Sequence, residues 1–484
     1  MDSVGRPVGA DQGLAAMELD RFRGELYRCL DRRADELFEL VDALLCAEGP
    51  VRSLVGLCLA PEHRRGHGAL YDAVNSGQVD PARLRETLVR LPLPRMFGGR
   101  IVLAVDVSPW LRPDAETCPD RLFCHVYGRG RASNQRIPGW PYQLVTALES
   151  GPTSWTAVLD AVRLGPADDA TAATAAQLRA VVGRLRAAGH WRDGDPPILV
   201  VLDSGYDVHR LAFVLADLPI QLIGRIRADR VLLAPVPPRP LTGPGPIGRP
   251  RRHGAAMVLA DPDSWPAPST RSSTVTDRYG RAEATSWSRM HPRLEHRGPW
   301  VGEAGLPPIV EGTVIRLQVE HLPGHRQAPP IWLWSSATDG DAADVIRCWQ
   351  AYLRRFDLEH TIRLFKQTLG WTAPKIRSPK AADRWTWLVI AAHTQLRLAR
   401  ALARDLRRPW EKPLAPERLT PARVRRGFRH LHARTTQPAS APKPSHPGPG
   451  RPSGTKNRQR AKRYDVGKTA AGEHQAPHTE NVSS

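Results

Sequence analysis

Ile101-Val-Leu-Ala-Val-Asp106-Val-Ser-Pro109 is the stretch on which the fold turns. Five apolar residues run into one carboxylate and then into a Ser-Pro turn signal. An uninterrupted apolar run of this length reads as a strand buried on both faces of a sheet. A second run of the same design, Ile198-Leu-Val-Val-Leu-Asp203-Ser-Gly-Tyr206, follows about a hundred residues later. A carboxylate at the tip of a buried strand is aimed rigidly at one edge of a sheet. Either aspartate alone would read as a turn cap, whereas two such tips in one sheet point to chemistry.

Outward from Asp106, the segments Leu122 to Tyr127 and Tyr142 to Leu148 also read as strands, so three in succession predict an antiparallel meander. An alanine-rich helix from about Asp169 to Ala188 precedes the Asp203 strand. A helix from Val208 to Leu218 and a strand from Ile220 to Ile226 follow it. Strands first, then helix and strand in alternation, describe a mixed α/β sheet over residues 96–234. Residues 235–340 break that rhythm with a Pro/Gly/Arg-rich start, short strand-like pieces and five tryptophans, and read as a β-rich insertion. Residues 1–95 carry apolar positions at three- and four-residue steps (Leu19, Phe22, Leu26, Leu30, then Leu37, Leu40, Val41, Leu44), the mark of amphipathic helices. They are expected to form a small helical domain able to contact DNA. Beyond Arg434 the chain is rich in Pro, Gly and Ser with eight basic and three acidic residues, the composition of a disordered basic tail over 435–484.

The third carboxylate lies in residues 341–434, within a long helix expected from about Ala342 to Leu369. At about 100° per residue, Tyr352, Arg355, Glu359 and Lys366 fall within roughly 60° of one another, on a stripe bordering the apolar face of Leu358, Ile362, Phe365 and Leu369. As a surface ladder such a stripe is worth little, since Arg355 and Glu359 are an ordinary i,i+4 pair. The lysine changes its weight. The first 365 residues contain no lysine, and one then completes the stripe in a chain that otherwise uses arginine.

These residues resemble the DDE transposases of bacterial insertion sequences, specifically the group with the signature Tyr-x2-Arg-x3-Glu-x6-Lys, which Tyr352, Arg355, Glu359 and Lys366 match at every spacing. The resemblance covers about residues 100–370. It implies a ribonuclease H-like core of α/β class, a mixed sheet flanked by helices, with the β-rich insertion lying before the glutamate. It further implies that Asp106, Asp203 and Glu359 are the catalytic carboxylates and hold two Mg²⁺ ions, for which Mn²⁺ can substitute. Tyr352, Arg355 and Lys366 then grip the DNA phosphates. If a hairpin forms on the transposon end, Trp287 and Trp300 are the aromatics of the insertion proposed to stack on a flipped base. The rival expectations are a ribonuclease H-like nuclease without strand transfer and a catalytically silent DNA-binding derivative.

Charge is consistent with a nucleic-acid partner: the 484 residues carry 69 Lys and Arg against 49 Asp and Glu, a net +20. Gly-Arg-Pro occurs three times, and the copies at Arg249 and Arg451 lead into further basic residues, so Arg249, Arg251, Arg252, Arg451, Lys456 and Arg458 are DNA-contact expectations. The last copy is similar to an AT-hook. The partner expected is double-stranded DNA, transposon end and target, engaged by a homodimer because two ends must be paired. Met1 to Gln12 lacks the layout of a secretory signal and no membrane-length apolar run occurs, so a cytoplasmic, nucleoid-associated protein is expected. Six cysteines without a Cys-x-x-Cys pair argue for buried reduced thiols and against a cysteine zinc site.

Overall fold

The structure, a computed structural model, describes residues 8–127, 134–151, 153–237, 250–277, 279–296, 300, 305–322 and 328–443. It opens with helices α1 (Val8–Arg28), α2 (Ala34–Cys46), α3 (Leu54–Cys58), α4 (His67–Ser76) and α5 (Pro81–Val89), and a two-stranded ribbon of β1 (Leu30–Arg32) and β2 (Gln78–Val79). Helix α5 starts at Pro81, with the Asp80 carboxylate accepting from the backbone N–H groups of Ala82 and Arg83.

A twelve-stranded mixed sheet follows, built from β3 (Val102–Leu111), β4 (Leu122–Tyr127), β5 (Asn134–Leu148), β6 (Thr156–Arg163), β7 (Ile198–Leu202), β8 (Ile220–Ile226), β9 (Val231–Leu233), β10 (Ala256–Val258), β11 (Thr270–Thr276), β12 (Gly280–Pro292), β13 (Gly312–Val319) and β14 (Ile331–Ser335). Its spatial order is β10-β9-β12-β13-β14-β8-β7-β3-β5-β4, with β11 on β12 and β6 on β5. Only β3–β7 and β7–β8 are parallel pairs. Helices α6 (Ala170–Ala187) and α7 (Val208–Val214) lie between β6 and β8 in the chain, and α8 (Ala342–Arg354), α9 (Phe356–Gln367), α10 (Pro379–Leu398) and α11 (Pro421–His432) complete it.

The continuous apolar runs are explained by two separate cores. Val102 and Ala104 point into a core shared with α8, α9 and α10, whereas Ile101, Leu103 and Val105 point into one shared with α6 and α7. Alternate residues are therefore buried on opposite faces, the condition a parallel-type strand requires. This helix-flanked mixed sheet is compatible with a ribonuclease H-like core.

Several expectations are corrected. The three early strands are not a meander: β5 lies between β3 and β4, and a strand absent from the sequence reading, β6, pairs with the second half of β5. Asp160 obscures β6, placing a carboxylate in an otherwise apolar run. It is tolerated because Arg85 and Arg184 each meet it at 2.7 Å. Within residues 235–340, β14 pairs antiparallel with β8 and carries the core sheet onward. The long helix is two helices meeting at Arg355. There the bonds Arg355 N–H to Tyr352 O and Leu358 N–H to Arg355 O close tighter three-residue turns.

The N-terminal helices pack with the C-terminal ones, α1 and α2 against α10 and α2 against α11, in one bundle. Arg23 lies at its centre, forked onto Asp42 at 2.7 and 3.0 Å and reaching Gln395 of α10 and the carbonyl of Thr436. Residues 435–443, expected to begin the free tail, are held here too. The Thr436 N–H donates to Asp20 and the Ser440 N–H to Asp35, while Arg64 and Arg65 donate to Ser440 O. Backbone groups with this many charged partners do not need a tail's solvent exposure. Residues 444–484 lie outside the described residues.

Candidate active site

Strand register sets the two aspartates side by side. In the parallel pair β3–β7, Ala104 stands opposite Val201, so two residues further along both chains Asp106 faces Asp203, with neighbouring strands about 4.8 Å apart. Strand β7 stops at Leu202, and the chain turns away through Ser204 and Gly205 with Tyr206 N–H donating to Asp203 O. Strand β3 continues against β5 to Leu111, so Asp106 sits mid-strand instead of near the strand end. It becomes an edge position because its neighbour has ended.

The Asp106 carboxyl is pushed up to about 6, first by burial and then by the charges of Asp203 and Glu359, against the opposing pull of Arg355 and of the Val107 N–H, which donates at 2.8 Å. Arg355 gathers the cluster. Its guanidinium lies 3.5 Å from Asp106, 3.8 Å from Asp203 and 3.0 Å from Glu359. Burial alone would lower its pKa, yet Asp203, Asp106, Tyr352 and Glu359 hold it above the ordinary arginine value. The rings of Tyr352 and Phe356 flank it at 5.9 and 5.2 Å. Its position at the joint between α8 and α9 directs it at the sheet edge, while Glu359, one turn into α9, reaches the same edge from above.

Of the residues predicted from sequence, Asp106, Asp203, Tyr352, Arg355 and Glu359 are brought together. Lys366 is placed differently: its ammonium lies 5.9 Å over the ring of Trp371 and close enough to Cys124 of β4 to moderate the rise that burial imposes on that thiol. Two neighbours escaped sequence reading. Tyr206, three residues past Asp203, has its phenol raised well above the ordinary value by burial and by Asp106 and Asp203. Arg225 on β8 acts on Tyr352 from the other side. The position of Tyr206 in the quoted Asp203 motif was a usable signal, whereas Arg225 depends on the β7–β8 pairing and had none.

A cleft of about 630 Å³ opens beside Asp203, lined by Ser204, Tyr206, Arg225, Arg230, Arg293 and Trp300 among others. Trp300 packs against Phe213 at 5.4 Å and forms part of this wall. Both tryptophans are buried in the same core, and Trp287 is clustered with Trp265 and Trp332 and donates its indole N–H to Pro266 O. Arg252 donates to Pro307 O, and Arg251 is exposed away from the cleft lining. Arg249, Arg451, Lys456 and Arg458 lie outside the described residues.

The donor set fits divalent, oxygen-seeking cations: three carboxylates from three elements gather on a single positive group, and the rise at Asp106 is what a nearby cation would relieve. Among the described residues, no one point brings oxygens of all three within 4.8 Å of each other. No helix among the described residues is long and apolar enough to cross a membrane.

Residues 25–293, more than half of the chain, match the family described as DDE superfamily endonuclease. The matched span holds Asp106 and Asp203 and ends before Glu359, which the structure places with them. No curated protein matches the chain.

Proposed function

The chain belongs to the DDE superfamily endonucleases, and from that premise we propose that it is an Mg²⁺-dependent DNA transposase of the insertion-sequence type, cutting at transposon ends and joining the freed ends to target DNA. The observation that carries the reading is the convergence of Asp106, Asp203 and Glu359 on Arg355 at the edge of a mixed sheet. Asp106 and Asp203 would hold the ions from the sheet and Glu359 from the helix. When bound, two such ions supply an activated attacking oxygen and stabilisation of the leaving one.

Water attacks the scissile phosphodiester and releases a 3′-hydroxyl at the transposon end. That hydroxyl then attacks the target strand at the same centre. Arg355 balances the carboxylates in the metal-free chain and turns to a phosphate oxygen once cations take over that role, a task for which its planar fork suits it. Tyr352 and Lys366 hold flanking phosphates, Lys366 after its side chain swings from Trp371. Of the two tryptophans, Trp300 lines the cleft and is the one we assign to stacking on a displaced base, which its burial requires it to turn outward to do. Two copies of the chain pair the two ends in the bacterial cytoplasm, and the basic segments around residue 250 and beyond residue 450 add salt-sensitive DNA contacts.

The test is an Mg²⁺-dependent assay with the element's own end sequences and a target plasmid. Cleaved ends joined to target are expected. Cleavage without joining would identify a nuclease, and binding without cleavage a silent derivative.

A further inference from the structure

Outside the carboxylate centre, one other cluster has the chemistry of a cation site. Cys46 at the end of α2, Glu62 in the loop after α3 and His432 at the end of α11 present ligand atoms that all lie within 4.8 Å of one another. Tetrahedral ligands at bond lengths of about 2.0–2.3 Å stand roughly 3.3–3.8 Å apart, so a contraction of about 1 Å would close the set.

The ligands are oriented as ligands are. Glu62 is 6% exposed. One of its oxygens accepts from Arg429 Nε at 3.0 Å; the other, Oε2, is buried with no nitrogen or oxygen donor among the described residues, and the Cys46 thiol is the group that faces this carboxylate. A buried carboxylate oxygen without such a donor is costly, and a cation there removes the cost. His432 Nε2 stands 3.0 Å from both Asp42 Oδ2 and the Gln437 amide nitrogen, so coordination through Nδ1 keeps the Asp42 contact, and Asp42 is itself fixed by the Arg23 fork. A carboxylate behind a histidine is the usual support for a metal-bound imidazole.

Charge fits as well. Arg425 is buried beside Cys46, donates to the carbonyls of Leu44 and Gly49, and has no carboxylate partner among the described residues. The thiolate formed when Cys46 binds a metal and gives its proton to solvent supplies the counter-charge Arg425 lacks. Cys46 and Arg425 also line an open cavity of about 660 Å³, which provides an entry path.

We propose that Cys46, Glu62 and His432 form a binding site for a soft divalent cation of the Zn²⁺ class, with water from the cavity completing the coordination. The absence of a Cys-x-x-Cys pair had argued against such a site, but the ligands come from segments nearly 400 residues apart. Bound there, the cation staples the N-terminal helices to α11, independently of the DNA chemistry.

The experiment uses the full chain carrying Asp106→Asn, Asp203→Asn and Glu359→Gln, so that the catalytic carboxylates do not contribute. After chelator treatment it is titrated with Zn²⁺ against a chromophoric competitor, and separately with Co²⁺. One Zn²⁺ per chain, a rise in Tm and a thiolate-to-cobalt charge-transfer band are expected, all lost in Cys46→Ser. Asp42→Asn should weaken the affinity about 10–100-fold. Unchanged Zn²⁺ stoichiometry in Cys46→Ser would overturn the proposal. So would the absence of the Co²⁺ band in the folded parent chain, a readout that needs no Cys46 variant to fold.

Discussion

Arg23 and Arg355 are both almost wholly withdrawn from water, and they are held in opposite styles. Arg23 is 0% exposed and has one carboxylate, forked at 2.7 and 3.0 Å, plus an amide and a backbone carbonyl for its remaining donors. Arg355 is shared among three carboxylates at 3.0 to 3.8 Å, its Nε has no partner, and those carboxylates keep 21, 37 and 44% of their side-chain surface. Tight, saturated bonding belongs to the bundle and is structural. Loose sharing among part-exposed groups leaves the carboxylates able to exchange one cation for others, as a reaction centre needs.

The comparison can be broken at several points. Glu359→Gln should lower Mg²⁺-dependent cleavage of a transposon end by ~10³-fold or more, since the ions supply several kcal/mol of charge stabilisation. DNA binding measured by gel shift should be nearly unchanged. Arg23→Met should destabilise the chain by about 3 kcal/mol in urea titration, because the buried Asp42 loses its forked partner and keeps only His432. Arg355→Gln should cost less, about 1–2 kcal/mol, since water reaches the carboxylates it leaves. Equal losses for the two arginines would erase the distinction drawn between them.

The smallest effect at neutral pH concerns His393 of α10, buried between Trp155 and Phe365 with neither ring nitrogen hydrogen-bonded among the described residues. Burial, reinforced by Arg397, depresses its pKa to about 3. Between about 6.5 and 3 the unfolded chain therefore binds the proton and the folded chain does not, so stability falls as pH falls through that window. His393→Leu should flatten this acid slope in pH-dependent denaturation while changing neutral-pH stability by only about 1 kcal/mol.

What the sequence made legible follows the same physics. Strands β7 and β8 were readable to the residue because both faces are buried and turns bound them. The two aspartates and the Tyr352, Arg355 and Glu359 stripe were readable because strand tips and helical angles are local properties. Register was not, and register sets Asp106 beside Asp203 and makes a mid-strand residue an edge one. The helix joint at Arg355 carries no proline or glycine to announce it. Lys366 fell on the right stripe, but its side chain found the Trp371 ring. The bundle escaped because Arg23 finds its partners on three separate stretches of chain.

The central claim is that the loosely shared carboxylates around Arg355 form the divalent-metal centre. Calorimetric titration of the full chain with Mn²⁺, in a Cys46→Ser background, tests it most directly. Binding that is present in the parent and lost in each of Asp106→Asn, Asp203→Asn and Glu359→Gln is the predicted result. Mn²⁺ binding that survives all three substitutions undiminished would contradict it.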